Sequence, residues 1–189
     1  MIPVEQIACY ILAGGQSKRM GRDKGLLPIG HETFVGRIRA QALSVLREVY
    51  VISGNPAYDI YTPCVTDLIP DRGPLGGLFT ALHQHPNKHI LLLSCDMPLI
   101  DAALLHEFLK HGQTGQLCLV RSGDRVHPFP GLYPPQTLPI AERMLNEKQL
   151  KIMALQQFIE PVLVDLHPLE RQLKNINTPE QYQELNDRL

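Results

Sequence analysis

The 189-residue chain is 44% hydrophobic and 20% charged, which is enough apolar material for one full core, and we expect a single domain over residues 1–189. Its formal net charge of -1 gives no general attraction for nucleic acid or an anionic membrane surface, so neither is expected as a partner. The first residues lack the pattern of a signal peptide, and no apolar stretch approaches the roughly 20 residues that span a bilayer. We therefore expect a cytoplasmic protein, and a monomer.

Apolar runs alternate along the chain with segments of helical periodicity. The runs suit strands buried on both faces of a sheet, and they occupy residues 6–12, 48–52, 65–69, 89–94, 117–120 and 161–165. Apolar residues that share one helical face recur within 34–46, 75–82 and 104–109. This alternation predicts a three-layer α/β/α fold with a mainly parallel, Rossmann-like sheet.

Prolines give two further local signals. Thr178, Pro179 and Gln181 combine a capping hydroxyl, a proline at the first helical position and a glutamine at the third, which predicts the start of a last helix. The segment 128–139 carries five prolines. Because proline has no backbone N–H to donate, we expect an irregular excursion or an edge strand there, and the place for an acceptor-specific insertion.

A glycine-containing and strongly basic segment follows the first predicted strand. Gly14 and Gly15 allow the backbone to approach a ligand closely, and four cations follow within seven residues, namely Lys18, Arg19, Arg22 and Lys24. Ligands of open α/β sheets bind beyond the carboxyl ends of the strands, so this segment is suited to hold a polyphosphate. A solvated basic turn would explain the charges, but not two adjacent glycines directly after a buried strand.

Residue spacing argues against three other kinds of site. A Walker A loop requires a glycine before its lysine and Ser or Thr after it, and neither Lys18 nor Lys24 meets this requirement. Gly14 and Gly15 do not fit the G-x-G-x-x-G register of a dinucleotide fold. No histidine lies in an H-E-x-x-H pattern, which argues against a zinc hydrolase.

A single charged residue, Asp96, follows the apolar run at 89–94. Its position after a central strand directs the carboxylate to the same edge of the sheet as the basic loop. Mg²⁺ takes one or two carboxylates together with substrate phosphates. An aspartate before Met-Pro can also simply cap the following turn, but the basic loop nearby favours a magnesium site.

Four motifs occur in order along the chain. They are LAGG-x-x-x-R-M-G-x-D-K from Leu12, D-x-G-P-L-G-G-L from Asp71, C-D-M-P from Cys95 and N-x-N-T-P-E from Asn175. Together they resemble the motifs of the MobA family, the molybdenum cofactor guanylyltransferases. The first motif is shared with nucleotidyltransferases for sugars, isoprenoid precursors and the cytidine form of the cofactor. The cytidylyl enzymes usually have LAAG at this place, so LAGG resembles the guanylyl branch.

The resemblance implies transfer of GMP from GTP to the terminal phosphate of molybdopterin, with Mg²⁺ as cofactor. Arg19 and Lys24 would steady the leaving phosphates, and Asp96 would hold the metal. Asp71 would accept two hydrogen bonds from N1 and N2 of guanine. Asn55 is an alternative to Ser53 as the match for a strand-end asparagine of the family. The positions that match nucleotide contacts are Leu12, Ala13, Gly14, Gly15, Lys24, Ser53, Asp71 and Asp96.

The acceptor side of the predicted site includes His127, Asn175 and Asn177. His127 equally suits a loop histidine whose hydrogen bonds are satisfied. We also expect transient contacts with proteins that deliver or receive the cofactor. Two other function classes stay open: a CTP-dependent or sugar-phosphate transferase on the same scaffold, and a non-catalytic nucleotide-binding partner. Retention of Lys24 and Asp96 argues against the second.

Overall fold

The strands and helices are given by a computed structural model that describes residues 2–13, 23–112, 115–167 and 169–187. The strands within these residues are β1 (Ile7–Leu12), β2 (Pro28–Ile29), β3 (Glu32–Thr33), β4 (Val49–Ile52), β5 (Cys64–Val65), β6 (His89–Ser94), β7 (Cys118–Ser122), β8 (Arg125–Tyr133) and β9 (Val162–Asp165). The α-helices within them are α1 (Phe34–Leu43), α2 (Gly73–Gln84), α3 (Ala102–Lys110), α4 (Thr137–Asn146) and α5 (Pro179–Asn186). No helix in these ranges has both the length and the apolar character to cross a membrane.

One sheet of seven strands has the order β5-β4-β1-β6-β8-β7-β9, and β2 and β3 form a separate small hairpin. The strands β5, β4, β1 and β6 are parallel to one another, and β9 is parallel to β7. Within the seven-stranded sheet of the described residues, β8 runs antiparallel to its neighbours, β6 and β7. The predicted mainly parallel α/β fold is confirmed. The strand predicted at 65–69 is reduced to the two-residue edge strand β5.

The sheet lies between two helical layers. Cys9 and Ile11 of β1 face one apolar cluster, which includes residues of α1 and α3. Ala8 and Tyr10 face the opposite cluster, which includes residues of α2 and α4. All four side chains are fully buried. Because successive side chains of a strand point to opposite faces, a central strand buried on both sides has to be apolar throughout.

The segment 128–139 differs from its prediction. Rather than an excursion or an edge strand, its first part belongs to β8, an interior strand. The pairing of β7 with β8 jumps from Leu119↔Gly131 to Val120↔His127, so residues 128–130 fall in a bulge. The pairing with β6 begins only at Gly131. The two prolines of this bulge therefore need no backbone donor, which removes the physical reason for placing them at an edge.

Helix α4 follows directly and was not predicted. The backbone N–H groups of Thr137 and Leu138 donate to the carbonyl oxygens of Pro134 and Pro135. Pro139 lies in the first turn of α4, where a backbone N–H has no partner within the helix. Prolines at these positions begin a helix rather than prevent one.

Helix α5 begins as predicted. The Thr178 hydroxyl accepts from the backbone N–H of Gln181, and the Gln181 side chain accepts in return from the N–H of Thr178. Ile176, just before this cap, is 1% exposed and belongs to a small apolar cluster with Phe34 and Leu185. The cap and this apolar anchor together fix the segment that contains Asn175 and Asn177.

Removal of the cap should destabilise the protein. We expect Thr178→Ala to lower the free energy of unfolding by about 1 kcal/mol, because the N–H of Gln181 loses its acceptor. Thr178→Ser keeps the hydroxyl and should stay near the wild-type value. Urea denaturation of the three proteins tests this. Identical midpoints for the alanine variant and the wild type would contradict the role of the cap.

Candidate functional site

A cleft of about 520 Å³ opens at the carboxyl ends of β4, β1 and β6. Parallel pairing aligns these ends, since Leu12 lies opposite both Ile52 and Ser94. The polar residues that follow each strand therefore meet at one edge of the sheet. Six of the predicted nucleotide-binding positions line this cleft, namely Leu12, Ala13, Lys24, Ser53, Asp71 and Asp96.

Asp96 lies at the end of β6, where its orientation is set locally. The hydroxyl of Ser94 donates to Asp96 Oδ1 at 2.7 Å, and Oδ2 has no hydrogen-bond partner among the described residues. Burial, with the nearby negative charges of Asp96 and Asp23, raises the pKa of the Cys95 thiol to about 12, and the charge of Lys24 opposes this rise. Cys95 is therefore protonated at neutral pH and supplies no thiolate at this strand end.

Lys24 begins a short 3₁₀ turn, Lys24–Leu26, that Asp23 caps. The Lys24 ammonium donates to Asn177 Oδ1 at 2.5 Å, a contact between residues 153 positions apart. Ile176 next to it donates its backbone N–H to the carbonyl oxygen of Asp96 at 2.8 Å. The segment before α5 is thus attached both to the end of β6 and to the lysine of the cleft.

Ser53 and Asn55, the two alternatives for the strand-end position, lie in different surroundings. Ser53 is 5% exposed and lines the cleft. Asn55 instead donates from its side-chain amide to Asp23 Oδ2 at 3.2 Å and accepts from the N–H of Ala57. Asn55 is therefore part of the support behind Lys24.

Two aspartates of the loop before α2 line the cleft. Asp71 is exposed and has a positive φ of 60°. Asp67, which the sequence analysis did not single out, is half-buried, and its Oδ1 accepts from the hydroxyl of Thr80 at 2.6 Å. Burial raises the pKa of Asp67, and the hydrogen bond from Thr80 opposes the rise. What distinguishes Asp67 is its contact with Thr80 of α2, 13 positions away, and the local sequence pattern does not reveal this contact.

A second cleft, of about 400 Å³, contains all three predicted acceptor positions. His127, Asn175 and Asn177 line it together with Arg125, Lys174 and Gln181. Burial, and secondarily the charge of Arg125, lower the pKa of His127. Asn177 lines this cleft while it contacts Lys24 of the first one. The two clefts therefore adjoin at this hydrogen bond.

Comparison with known proteins identifies the family of this chain. The model of the MobA-like NTP transferase domain matches residues 9–164, which is most of the chain. This chain belongs to the MobA-like NTP transferase family. The family resemblance predicted from the four motifs is confirmed.

Individual MobA-like proteins match over nearly their whole length. A probable molybdenum cofactor guanylyltransferase of Flavobacterium johnsoniae is 34% identical over 97% of this chain and 98% of its own. A molybdenum cofactor guanylyltransferase of Pseudomonas putida is 30% identical over 92% of this chain and 94% of its own. The crystal structure of molybdopterin-guanine dinucleotide biosynthesis protein A from Archaeoglobus fulgidus superimposes with a TM-score of 0.80 at 17% identity, covering 95% of this chain and 97% of that one. The last match supports the fold alone.

Three predicted site residues, Gly14, Gly15 and Arg19, lie outside the described residues, as do Lys18 and Arg22 of the same basic loop. Their assignment to the nucleotide stays a prediction. The other predicted nucleotide positions all line the first cleft, and the predicted acceptor positions all line the second.

The raised pKa of Asp67 predicts a pH-dependent effect on stability. The folded state favours the neutral carboxyl, so this group stabilises the fold below its unfolded pKa, and the contribution is lost as pH rises through the folded pKa. Asp67→Asn, which stays neutral and keeps an oxygen for Thr80, should therefore gain stability relative to the wild type between about pH 4 and about pH 7. Denaturant titrations at both pH values measure the difference, and a constant difference would count against a desolvated carboxylate.

Proposed function

We propose that this chain transfers GMP from GTP to the terminal phosphate of molybdopterin, forming the guanine dinucleotide and releasing pyrophosphate. The observation that carries the proposal is the hydrogen bond from Lys24 to Asn177, which joins two clefts of different character. A reaction between two bound molecules requires adjoining sites, so that the reacting atoms meet in a fixed geometry. The names of the relatives from Flavobacterium johnsoniae and Pseudomonas putida support the same reaction.

The chemistry requires little proton transfer from the protein. An oxygen of the acceptor phosphate attacks the α-phosphorus of GTP, a new P–O bond forms, and the bond to the β-phosphate oxygen breaks to release pyrophosphate. The second pKa of a phosphate monoester is about 6, so the attacking oxygen is already anionic at neutral pH. The protein therefore acts by holding both phosphates in line and by neutralising their charge.

Lys24 and Asp96 are suited to this task. The Lys24 ammonium lies in the nucleotide cleft next to the acceptor cleft, where it can steady the leaving phosphates. Among the described residues, no group of three or more His, Cys, Asp or Glu could hold a metal ion. Asp96 Oδ2 accepts no hydrogen bond from the part of the chain that the structure describes, and one such oxygen fits Mg²⁺, which binds one or two carboxylates and takes other ligands from phosphates. Bound there, Mg²⁺ would withdraw charge from the α-phosphate.

Base selection is assigned to the carboxylates of the loop before α2. Guanine presents two donors, N1–H and N2–H, along one edge, and a carboxylate can accept from both. Asp67 is the better fixed of the two candidates, because Thr80 holds Oδ1 and the carboxyl is half-buried. The exposed Asp71 stays a predicted nucleotide contact on the same wall of the cleft.

The metal assignment is tested by Asp96→Asn. The change removes one charge and little volume, so the fold should persist while metal-dependent turnover falls by about 10²-fold or more. Asp101→Asn is a matched control, since Asp101 caps α3 and lines neither cleft. Pyrophosphate release from GTP in the presence of molybdopterin gives the rate. Wild-type turnover in Asp96→Asn would remove the metal from this residue.

Base choice distinguishes guanylyl transfer from the cytidylyl alternative. We expect the wild type to bind GTP roughly 5- to 150-fold better than ITP, which lacks the 2-amino donor, because a carboxylate oxygen that the bound base covers without donating to it costs about 1–3 kcal/mol. Asp67→Asn should remove most of this preference, and Asp71→Asn should keep most of it. Isothermal titration with GTP, ITP and CTP measures the preference. Equal affinity for CTP and GTP would reject guanine selection, and the reverse order of the two variants would return base reading to Asp71.

A further inference from the structure

Asp23, the residue before Lys24, accepts more hydrogen bonds than a helix cap requires. A cap needs one acceptor for one backbone N–H, which Ser, Thr or Asn supplies as well as Asp. Asp23 Oδ1 accepts from the N–H of Gly25 at 3.2 Å and also from the hydroxyl of Tyr58. Its second oxygen accepts from the side-chain amide of Asn55 at 3.2 Å. Three donors, two of them side chains from more than 30 positions away, converge on one carboxylate.

Tyr58 is built into this arrangement. It is fully buried, and burial together with the Asp23 hydrogen bond raises its pKa, so its hydroxyl keeps the proton that it donates. A Cβ atom at Gly25 would clash with this hydroxyl oxygen and with Val35 Cγ2, so glycine lets the Lys24–Leu26 turn lie against Tyr58. Tyr58 thus lies against the turn at Gly25 and also donates to Asp23, which caps the turn.

This support leaves the Lys24 ammonium available to a ligand. Three donors occupy the carboxylate of Asp23, and the Lys24 side chain extends instead to Asn177, at the junction of the clefts. Without those donors, Asp23 would be an unpaired carboxylate next to the lysine, and it would compete with a phosphate for the same ammonium.

We propose that Asp23, held by Tyr58 and Asn55, is a positioning residue that sets Lys24 for the triphosphate. The proposal rests on the assignment of Lys24 to the leaving phosphates. Tyr58 and Asn55 touch neither nucleotide nor acceptor in this account, and they act on binding only through Lys24. A residue that merely supports the fold would affect every ligand alike.

A double-mutant cycle of Tyr58→Phe and Lys24→Ala separates these roles. Isothermal titration with Mg·GTP and with GMP is the readout, and thermal unfolding reports on the fold. We expect Tyr58→Phe to weaken GTP binding about tenfold and GMP binding less than about twofold, since only the triphosphate reaches Lys24. In the Lys24→Ala background, Tyr58→Phe should weaken GTP binding no further.

Tyr61→Phe is the matched control. Tyr61 lies three residues on, with its ring 6.3 Å from that of Tyr58, and its hydroxyl pairs with Thr33 Oγ1 at 2.6 Å rather than with Asp23. This variant should keep the wild-type ratio of GTP to GMP affinity. Asn55→Ala, which removes the donor to Asp23 Oδ2, gives a second test at a less buried position and should reproduce the loss specific to GTP.

Several results would overturn the positioning role. One is an equal loss of affinity for GTP and GMP in Tyr58→Phe and Asn55→Ala. The others are additive losses of GTP affinity in the double variant, or the same loss of GTP affinity in Tyr61→Phe. If Lys24→Ala alone binds GTP as the wild type does, both this inference and the assignment of Lys24 fail. If the wild type prefers another nucleoside triphosphate, guanine selection fails by itself, and the cycle measured with that triphosphate and its monophosphate still decides the role of Asp23.

Discussion

The parallel alignment of β4, β1 and β6 is the constraint on which the rest of the structure depends. Backbone hydrogen bonds continue past the strand ends, from Ala13 to Ile52 and from Cys95 to Leu12. Residues that follow three separate strands are therefore held at fixed distances along one edge. The cleft at this edge is formed by the ends of the buried strands together with the polar residues of the loops that follow them.

The C-terminal segment converts this single edge into two adjoining clefts. Ile176 is buried in an apolar cluster and donates its N–H to the carbonyl oxygen of Asp96, so the asparagines on either side of it are fixed against the end of β6. One asparagine, Asn177, contacts Lys24, and both line the second cleft. The burial of Ile176 thereby determines where its two polar neighbours lie.

The sequence predicted those features that depend on local pattern. Apolar runs identified the central strands, and the T-P-E-Q order identified the cap of α5, because both signals lie within a few consecutive residues. Strand β8 was missed because its prolines lie in a bulge, which becomes visible only from the register of two neighbouring strands. Asp67 was missed because its burial and its bond from Thr80 come from packing against α2.

The family motifs predicted acceptor positions that residue chemistry alone did not indicate. His127 lies 48 residues before Asn175, yet both line one cleft, while their role toward the acceptor stays a prediction. The contact between Lys24 and Asn177 could not be inferred from either motif, since it depends on how the last helix is attached to the sheet. The same limit applies to Asn55, which supports Lys24 from behind and does not face the cleft.

A crystal structure with GTP and Mg²⁺ tests the central claim most directly, namely that the two clefts hold nucleotide and acceptor on either side of Lys24. The account predicts the guanine beside Asp67 in the larger cleft, the triphosphate within hydrogen-bond distance of Lys24, and the α-phosphate at the junction with the second cleft. A nucleotide bound among Arg125, His127 and Asn175, or a triphosphate directed away from Lys24, would contradict it.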